Sequence, residues 1–541
     1  MNRINSCNSL IWNWRNVKND LPKYTYFFSV GAKILQLFGI GILVSACSTV
    51  DLEQSYPESH VIQNTQQTSL GQLAKRLSAN KKADQSGFYA LTEGVEAFAL
   101  RLAMAETAEK SIDLQYYLIK NDLSGQMLIH SLLQAADRGV RVRILLDDIF
   151  TQGYDAGMLA LESHPNIQIR LFNPFANRKF RGLDFHRVAQ VNRRLHNKSF
   201  TVDNQFTIIG GRNIATEYFA AHESMNFHDL DVLSVGPLVS EVSAMFDQYW
   251  NSRPAVPVTA VASNKGQDLA LELQRMHERL AQTWQGAKNS DYGLAVLEDL
   301  ERFSLHINQQ FFWAPYTLVY DAPEKGLKSE AKNATNIVSA LGEAISQAEH
   351  SLVIISPYFV PLKDGIRRLQ ALHDRGVAVT VITNSFKANN HSIVHAGYAP
   401  YRKRIIQTGA KLYEAKADTQ VNDAERLKIG DSGATLHTKM FVVDNKAVFV
   451  GSFNFDPRSA NLNTELGVII YAENAADAAL KSIRESLNDS TYEVVLSEDN
   501  KLQWLERSGN QMKEFSKEPG SSAWERFKLN ILGLLPIRSQ L

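Results

Sequence analysis

Apolar residues recur every three to four positions over 96–109, the spacing of one helix face. The run SIDLQYYLI at 111–119 then predicts a buried strand. Helical spacing returns over 124–138 and stops at Gly139, and VRVRILLDD at 140–148 predicts the next strand. Strand, helix, strand in this order predicts a mixed, mostly parallel sheet with helices on both faces, an α/β architecture. The same succession comes back later in the chain. Residues 340–348 are helical in pattern, SLVIISPYFV at 351–360 is strand-like, 365–375 is helical, and VAVTVITNS at 377–385 follows Gly376. The fragment DRGV stands at 137–140 and again at 374–377. Ordered agreement at so long a period predicts a duplicated domain.

These patterns divide the chain into six parts. Residues 1–47 form an N-terminal address, and 48–86, rich in Gln, Ser and Asn, read as a tether. A first domain spans 87–252, a connecting region 253–333 with a helix expected at 267–285, a second domain 334–500, and a tail 501–541. The address has an apolar run, ILQLFGIGILVSA at 34–46, preceded by Lys33 and ending in small residues, which is the order of a secretory signal. Val44-Ser45-Ala46-Cys47 looks like a bacterial lipoprotein cleavage box, so Cys47 is the candidate lipidation site, followed by Ser48. The alternative is an uncleaved anchor, because 24–46 is long enough to span a bilayer, though Lys33 interrupts it. Either reading places the protein at a bacterial cell envelope, associated with membrane. In a bacterium with two membranes, the lipidated form would reach the outer one. In the tail, WERFKLNILGLL at 524–535 joins apolar area to Arg526, Lys528 and Arg538. That composition suits a short helix in a membrane interface, or one packed on the second domain.

Charge narrows the partners. The 541 residues carry 57 basic and 57 acidic side chains. The first 46 hold five of the basic and one of the acidic, which leaves a slightly acidic body with 52 and 56. Such a body lacks the basic footprint of a general nucleic-acid binder, and no nucleic-acid partner is expected. The two cysteines, Cys7 and Cys47, both precede the folded part, so thiolate zinc sites and a disulfide framework are excluded from it.

Each half carries one reactive motif. The first is HNKSFTVD, His196 to Asp203; the second is HTKMFVVD, His437 to Asp444. Each leads through an apolar strand to a glycine turn, Gly210-Gly211-Arg212-Asn213 and Gly451-Ser452-Phe453-Asn454, with seven positions from Asp to Gly in both. On a strand, positions i and i+2 share a face, so His196 and Lys198 present an imidazole beside an ammonium, as do His437 and Lys439. Bringing the two motifs together gives two imidazoles and two lysines around one phosphate. One histidine can attack phosphorus and the other can protonate the leaving oxygen. The lysines, with Asn213, Asn454 and Ser452 in the turns, would stabilise the phosphoryl oxygens. Side chains supply the positive charge, so neither a metal nor another cofactor is expected. Asp203 and Asp444 complete the motifs and fall on the opposite strand face, where they would fix local geometry. Each histidine needs a carboxylate at its other ring nitrogen. The candidates are Asp229, 33 positions after His196 with Asp231 as its rival, and Glu465, 28 positions after His437.

The paired motifs resemble those of the phospholipase D superfamily. The match is closer to bacterial cardiolipin synthases of the type C group, through DLQYYL (113–118), RLFNPF (170–175), RRLHNKSFTVDNQFTIIGGRN (193–213), VHAGY (394–398) and GSFNFDPRSANLNTELG (451–467). The resemblance runs from about residue 87 to the C terminus. It implies two duplicated phospholipase D-like domains with one shared active site at their interface, and a covalent phosphatidyl-histidine. His196 would carry the phosphatidyl group and His437 would be the acid. It also implies phospholipid substrates: phosphatidylglycerol, with phosphatidylethanolamine as a further candidate. Asp229 departs from the pattern, where Glu is more usual and the loop is five positions shorter. A glycerol head group as acceptor gives cardiolipin and water gives phosphatidic acid, so a hydrolytic phospholipase D is the alternative. A phosphodiesterase acting on nucleic acid and a non-catalytic membrane module are more distant ones.

Overall fold

The computed structural model describes residues 50, 54–222, 226–264, 266–329, 337–389, 391–417, 434–509 and 511–534. Cys47 and the apolar run before it lie outside the described residues, as does the chain from 535 onward.

Among the described residues eighteen strands join in one sheet. In the first half Ser111–Tyr116, Arg141–Asp147 and Ile167–Phe172 run parallel. Ser199–Val202, Phe206–Gly210 and Asp231–Val235 continue the sheet antiparallel, as far as Gln85–Leu91. The second half repeats this. Ser351–Ile355, Ala378–Asn384 and Lys411–Ala415 are parallel; Met440–Val443, Ala447–Gly451 and Leu466–Tyr471 are antiparallel and lead to Phe312–Tyr320. Gln85–Leu91 and Phe312–Tyr320 pair antiparallel, Gln85 opposite Pro315, and join the halves. The two duplicated α/β halves are as expected. Within this large sheet, among the described residues, parallel pairing involves three strands in each half, because the motif-bearing strands run back through tight turns, which link only antiparallel neighbours.

Alternation along the strands builds a core on each face. Ile112, Leu114, Val142 and Ile144 meet helices Gly94–Thr107 and Leu123–Asp137 on one side. Leu145 turns to the other, against Leu238, Met245, Phe246 and Trp250 of helix Pro237–Trp250. That second cluster also contains Val442, Val448, Val468 and Ile470, so a single apolar layer spans both halves. The second half has its own outer core around Leu352, Ile354, Val379, Val381 and Leu412.

Three segments differ from expectation. Residues 54–86 are packed rather than a tether. Leu70, Ala74 and Leu77 of helix Ser69–Leu77 enter the first core, and the carbonyls of Pro57 and Ser59 accept from the buried guanidiniums of Arg170 and Arg143. The backbone there supplies acceptors to arginine donors that would be costly to bury unpaired. The connecting region contains two long helices, Leu269–Lys288 and Asp291–Gln310, each N-capped by a side chain, Asp268 and Ser290. In the tail, Leu502–Ser508 and Gln511–Phe515 extend the sheet edge, and Glu518 is buried against His395 and Arg402. Helix Ala523–Leu534 buries Leu529 and exposes Trp524, Phe527 and Ile531. No helix among the described residues is long and apolar enough to cross a membrane.

Candidate active site

His196 and Lys198 do not lie on the strand that follows them, which begins at Ser199. The segment before it leaves its own sheet for the other half. Leu195 bridges in parallel with Thr464; His196 N donates to Thr464 O (3.0 Å) and Thr464 N to Arg194 O (2.9 Å). The second motif does the same in reverse. Ala434–Leu436 pairs in parallel with Asn226–His228, His437 N donates to His228 O (2.7 Å), and the strand proper starts at Met440. Each histidine is therefore held by the residue just before the acid of the opposite half.

That pairing decides the acids. His196 Nδ1 lies 2.8 Å from Glu465 Oε2, and His437 Nδ1 lies 2.5 Å from Asp229 Oδ2. Sequence distance associated each carboxylate with the histidine of its own half; the structure exchanges them. A proton shared between Nδ1 and carboxylate turns Nε2 of each imidazole toward chemistry, with Lys439 Nζ 3.2 Å from that of His437. Lys198 Nζ donates to the carbonyl of His196 (2.6 Å), and Lys439 Nζ donates to that of His437. Asp231, the rival to Asp229, is taken by Arg101 (2.7 Å) and by the backbone N–H of Arg212 (3.1 Å).

The four motif side chains share one charged, desolvated environment. Burial pulls the Lys198 ammonium down to about 7 and that of Lys439 down to about 8, against the opposing pull of Glu465 and Asp229 respectively. Burial, then Lys198 and Lys439, hold His196 well below its usual value. Burial and Lys439 bring His437 to about 3 in spite of Asp229. The acids diverge. Burial pushes Glu465 up to about 7 against Lys198, whereas Asp229, equally buried, is drawn down to about 2 by Lys439 and His437.

Asp203 and Asp444 stand apart from this cluster. Both have positive φ (49° each) and occupy the hairpin turns after the motif strands. Asp203 accepts from the N–H groups of Glu109, Lys110 and Ser111, and Asp444 from those of Glu349, His350 and Ser351. Their carboxylates are consumed by backbone, so they fix the start of each parallel strand. Ser452 is also committed. Its hydroxyl donates to Glu465 Oε2 and accepts from Leu466 N (3.0 Å), which makes it a support for the carboxylate rather than a free phosphate ligand. In the first half Gly211 takes its place, and a Cβ there would meet Asp229 Oδ1 at 2.2 Å. The shorter Asp reaches its histidine only because the turn beneath it has no side chain. Asn213 and Asn454 each keep a buried amide oxygen with no partner among the described residues. Asn213 Nδ2 lies 3.0 Å from Tyr218 Oη, so turning the amide over would let it accept from that hydroxyl and aim its NH2 into the site.

Sequence reasoning missed the aromatic walls. Tyr117 stands edge-on to His196 (5.1 Å between ring centroids), and Tyr218 and Phe227 flank His437 (5.2 and 5.1 Å). It also missed Asp321, whose carboxylate accepts from Glu465 N (3.0 Å) and from Lys325 Nζ (2.8 Å). The signal for Tyr117 was present: it follows the first parallel strand 241 positions before Tyr358, the separation of the two histidines.

The family model described as "Cardiolipin synthase, PLD-like domain" matches residues 102–250 and 341–487, one motif in each stretch. Cardiolipin synthase C of Escherichia coli strain K12 is 38% identical over 459 residues, 84% of this chain and 96% of that protein. The chain belongs to the cardiolipin synthase family of phospholipase D-like proteins. An uncharacterized protein of Helicobacter pylori strain J99 is 33% identical to this cardiolipin synthase family member over 437 residues, 79% of this chain and 84% of the other. The solved phosphatidylserine synthase of Haemophilus influenzae Rd KW20 has the same fold, with a TM-score of 0.50 at 14% identity, covering 78% of this chain and 92% of that one.

Proposed function

We propose that this family member transfers a phosphatidyl group to the glycerol head group of phosphatidylglycerol, forming cardiolipin through a phosphohistidine on His196. The observation that carries the reading is the crossed pairing: two imidazoles, each backed by a carboxylate from the opposite half, share one buried site with two lysines. His196 Nε2 attacks phosphorus and the P–O bond to the donor head group breaks. His437 gives a proton to the departing alcohol oxygen. The neutral His437 then takes a proton from the acceptor hydroxyl, whose oxygen displaces His196 and closes the new P–O bond. Lys198, Lys439, Asn213 and Asn454 stabilise charge on the phosphoryl oxygens. The surroundings of the two histidines fit this division of labour. Burial with Lys198 and Lys439 keeps His196 neutral, and its Nδ1–H donating to Glu465 leaves Nε2 as the nucleophile. Asp229, held ionised, together with the substrate phosphate would stabilise the imidazolium His437 must become, against the burial that otherwise brings it to about 3.

The same reading places the protein on a membrane surface. Trp524, Phe527 and Ile531 leave an exposed apolar stripe on the last helix, with Lys528 beside Trp524. An anchor through Cys47 would hold the body there.

The test is product analysis on anionic vesicles. Phosphatidylglycerol alone, or with phosphatidylethanolamine, should yield cardiolipin with release of the donor head group, and EDTA should leave the rate unchanged. Phosphatidic acid as the sole product would make the protein a hydrolase, and cleavage of nucleic acid in its place would end the reading.

A further inference from the structure

A cavity of about 260 Å³ lies inside the first half, outside the phosphate site. Its walls include Ile129, Ile144, Met158, Leu161, Met276 and Leu280, from a strand of the sheet, two helices of the domain and the connecting helix Leu269–Lys288. Of its polar members, Lys120, Asn121, Gln126 and Arg279 are partly or fully exposed and belong to the solvent side. Asp147 and Thr151 are buried but already engaged, Asp147 by the N–H groups of Ile149 and Leu195 and by Arg194, and Thr151 by the carbonyl of Asp148. At the catalytic end it is bounded by Tyr117 and Phe150, whose rings meet edge-on at 5.2 Å. Tyr117 is also the ring against His196, and Lys198 Nζ lies 5.6 Å from its centroid. A single aromatic side chain thus separates an apolar cavity from the group that would carry the phosphate.

We propose that this cavity holds one acyl chain of the phosphatidyl group while its phosphate is at His196. The proposal rests on the phosphatidyltransferase reading and adds the part of the lipid that the phosphate site does not touch. Three observations support it. The walls are aliphatic with two methionines, a lining that adapts to a flexible chain. At about 30 Å³ per water-sized group, the volume takes roughly eight or nine methylenes, a large part of a chain. The mouth faces an exposed aromatic surface. Phe150 is 47% exposed, and Arg181 donates to the carbonyls of Asp148 and Ile149, which brings the segment bearing Phe180 (71% exposed) and Phe185 (55%) to the same rim. A chain leaving a bilayer at that surface passes Phe150 to enter.

Gly157 gives a clean test. It sits in helix Asp155–Glu162, and a Cβ on it would meet Met276 Cε at 3.7 Å, an ordinary contact. Gly157→Leu therefore projects into the cavity from a helical position that favours a side chain over glycine. Glycerol release from monomeric dihexanoyl- and dioctanoyl-phosphatidylglycerol is measured for both proteins. In the unaltered protein two further methylenes on the chain in the cavity should raise kcat/KM about fifteen-fold, since each buried methylene is worth about four-fold. In Gly157→Leu that ratio should fall to about two or less. The ratio is taken within one protein, so a partly folded preparation does not change it. Equal ratios in the two proteins overturn the assignment of the cavity and leave the phosphatidyltransferase reading standing. No release from either donor, in either protein, overturns that reading and the proposal with it.

Discussion

Glu465 serves His196 from across the molecule, and this determines what its loss does. Glu465→Gln should slow formation of the His196 adduct on the order of 10²- to 10⁴-fold, the usual weight of an acid–base partner. Asp229→Asn should act on proton transfer by His437 and weigh on breakdown of the adduct by the acceptor alcohol. Rapid-quench measurement of the two steps separates them; own-half partnership would reverse the pattern. The lysines set the pH response. An ammonium near 7 or 8 is lost as pH rises through that value, so kcat/KM should fall above about pH 7 to 8. Lys198→Arg, whose guanidinium stays charged, should move the falling limb upward in a pH–rate profile. At this scale the sequence shows His196, Lys198, His437 and Lys439 plainly, because each pair is local and repeated. The partners of the histidines are not legible in the same way, since pairing across the halves reassigns them. Ser452 reads as a phosphate ligand until its hydroxyl is seen on Glu465.

Asp203 and Asp444 belong to the element scale. Each closes a hairpin and holds the three N–H groups that open a parallel strand, with the same set of donors in the two halves. Asp203 is fully buried and Asp444 only partly so. Asp203→Ala should therefore cost about 3 kcal/mol and Asp444→Ala clearly less, because unmet buried donors bear the larger penalty. Urea denaturation checks the order; equal losses would mean that burial does not govern the cost. Motif periodicity shows that these aspartates are repeated but not that their work is structural, which depends on a positive φ and a turn. Helices and strands of the duplicated core were legible from their apolar spacing. The strand Phe312–Tyr320 was not, because it lies where the repeat looks broken, yet it is the second-half counterpart of Gln85–Leu91.

At the scale of the whole molecule, the two halves form one sheet and one apolar layer. Residues 54–86 show why composition misleads here: backbone carbonyls of the segment meet buried arginines rather than water, a match visible only once the sheet is assembled. The duplication itself was plain in the sequence, and a shared site follows from it, since each half supplies one histidine–lysine pair and the acid for the other. The central claim is that this joint site works through His196. Its most direct measurement uses His437→Ala and a phosphatidyl-p-nitrophenol donor, whose leaving group needs no proton. The first step then proceeds and the second, deprived of its base, stalls. Mass spectrometry of peptides kept at neutral to alkaline pH should find the phosphatidyl group on the peptide containing His196, and none should form in His196→Ala. An adduct on His437 in the unaltered protein, or an undiminished yield of adduct in His196→Ala, would contradict the account.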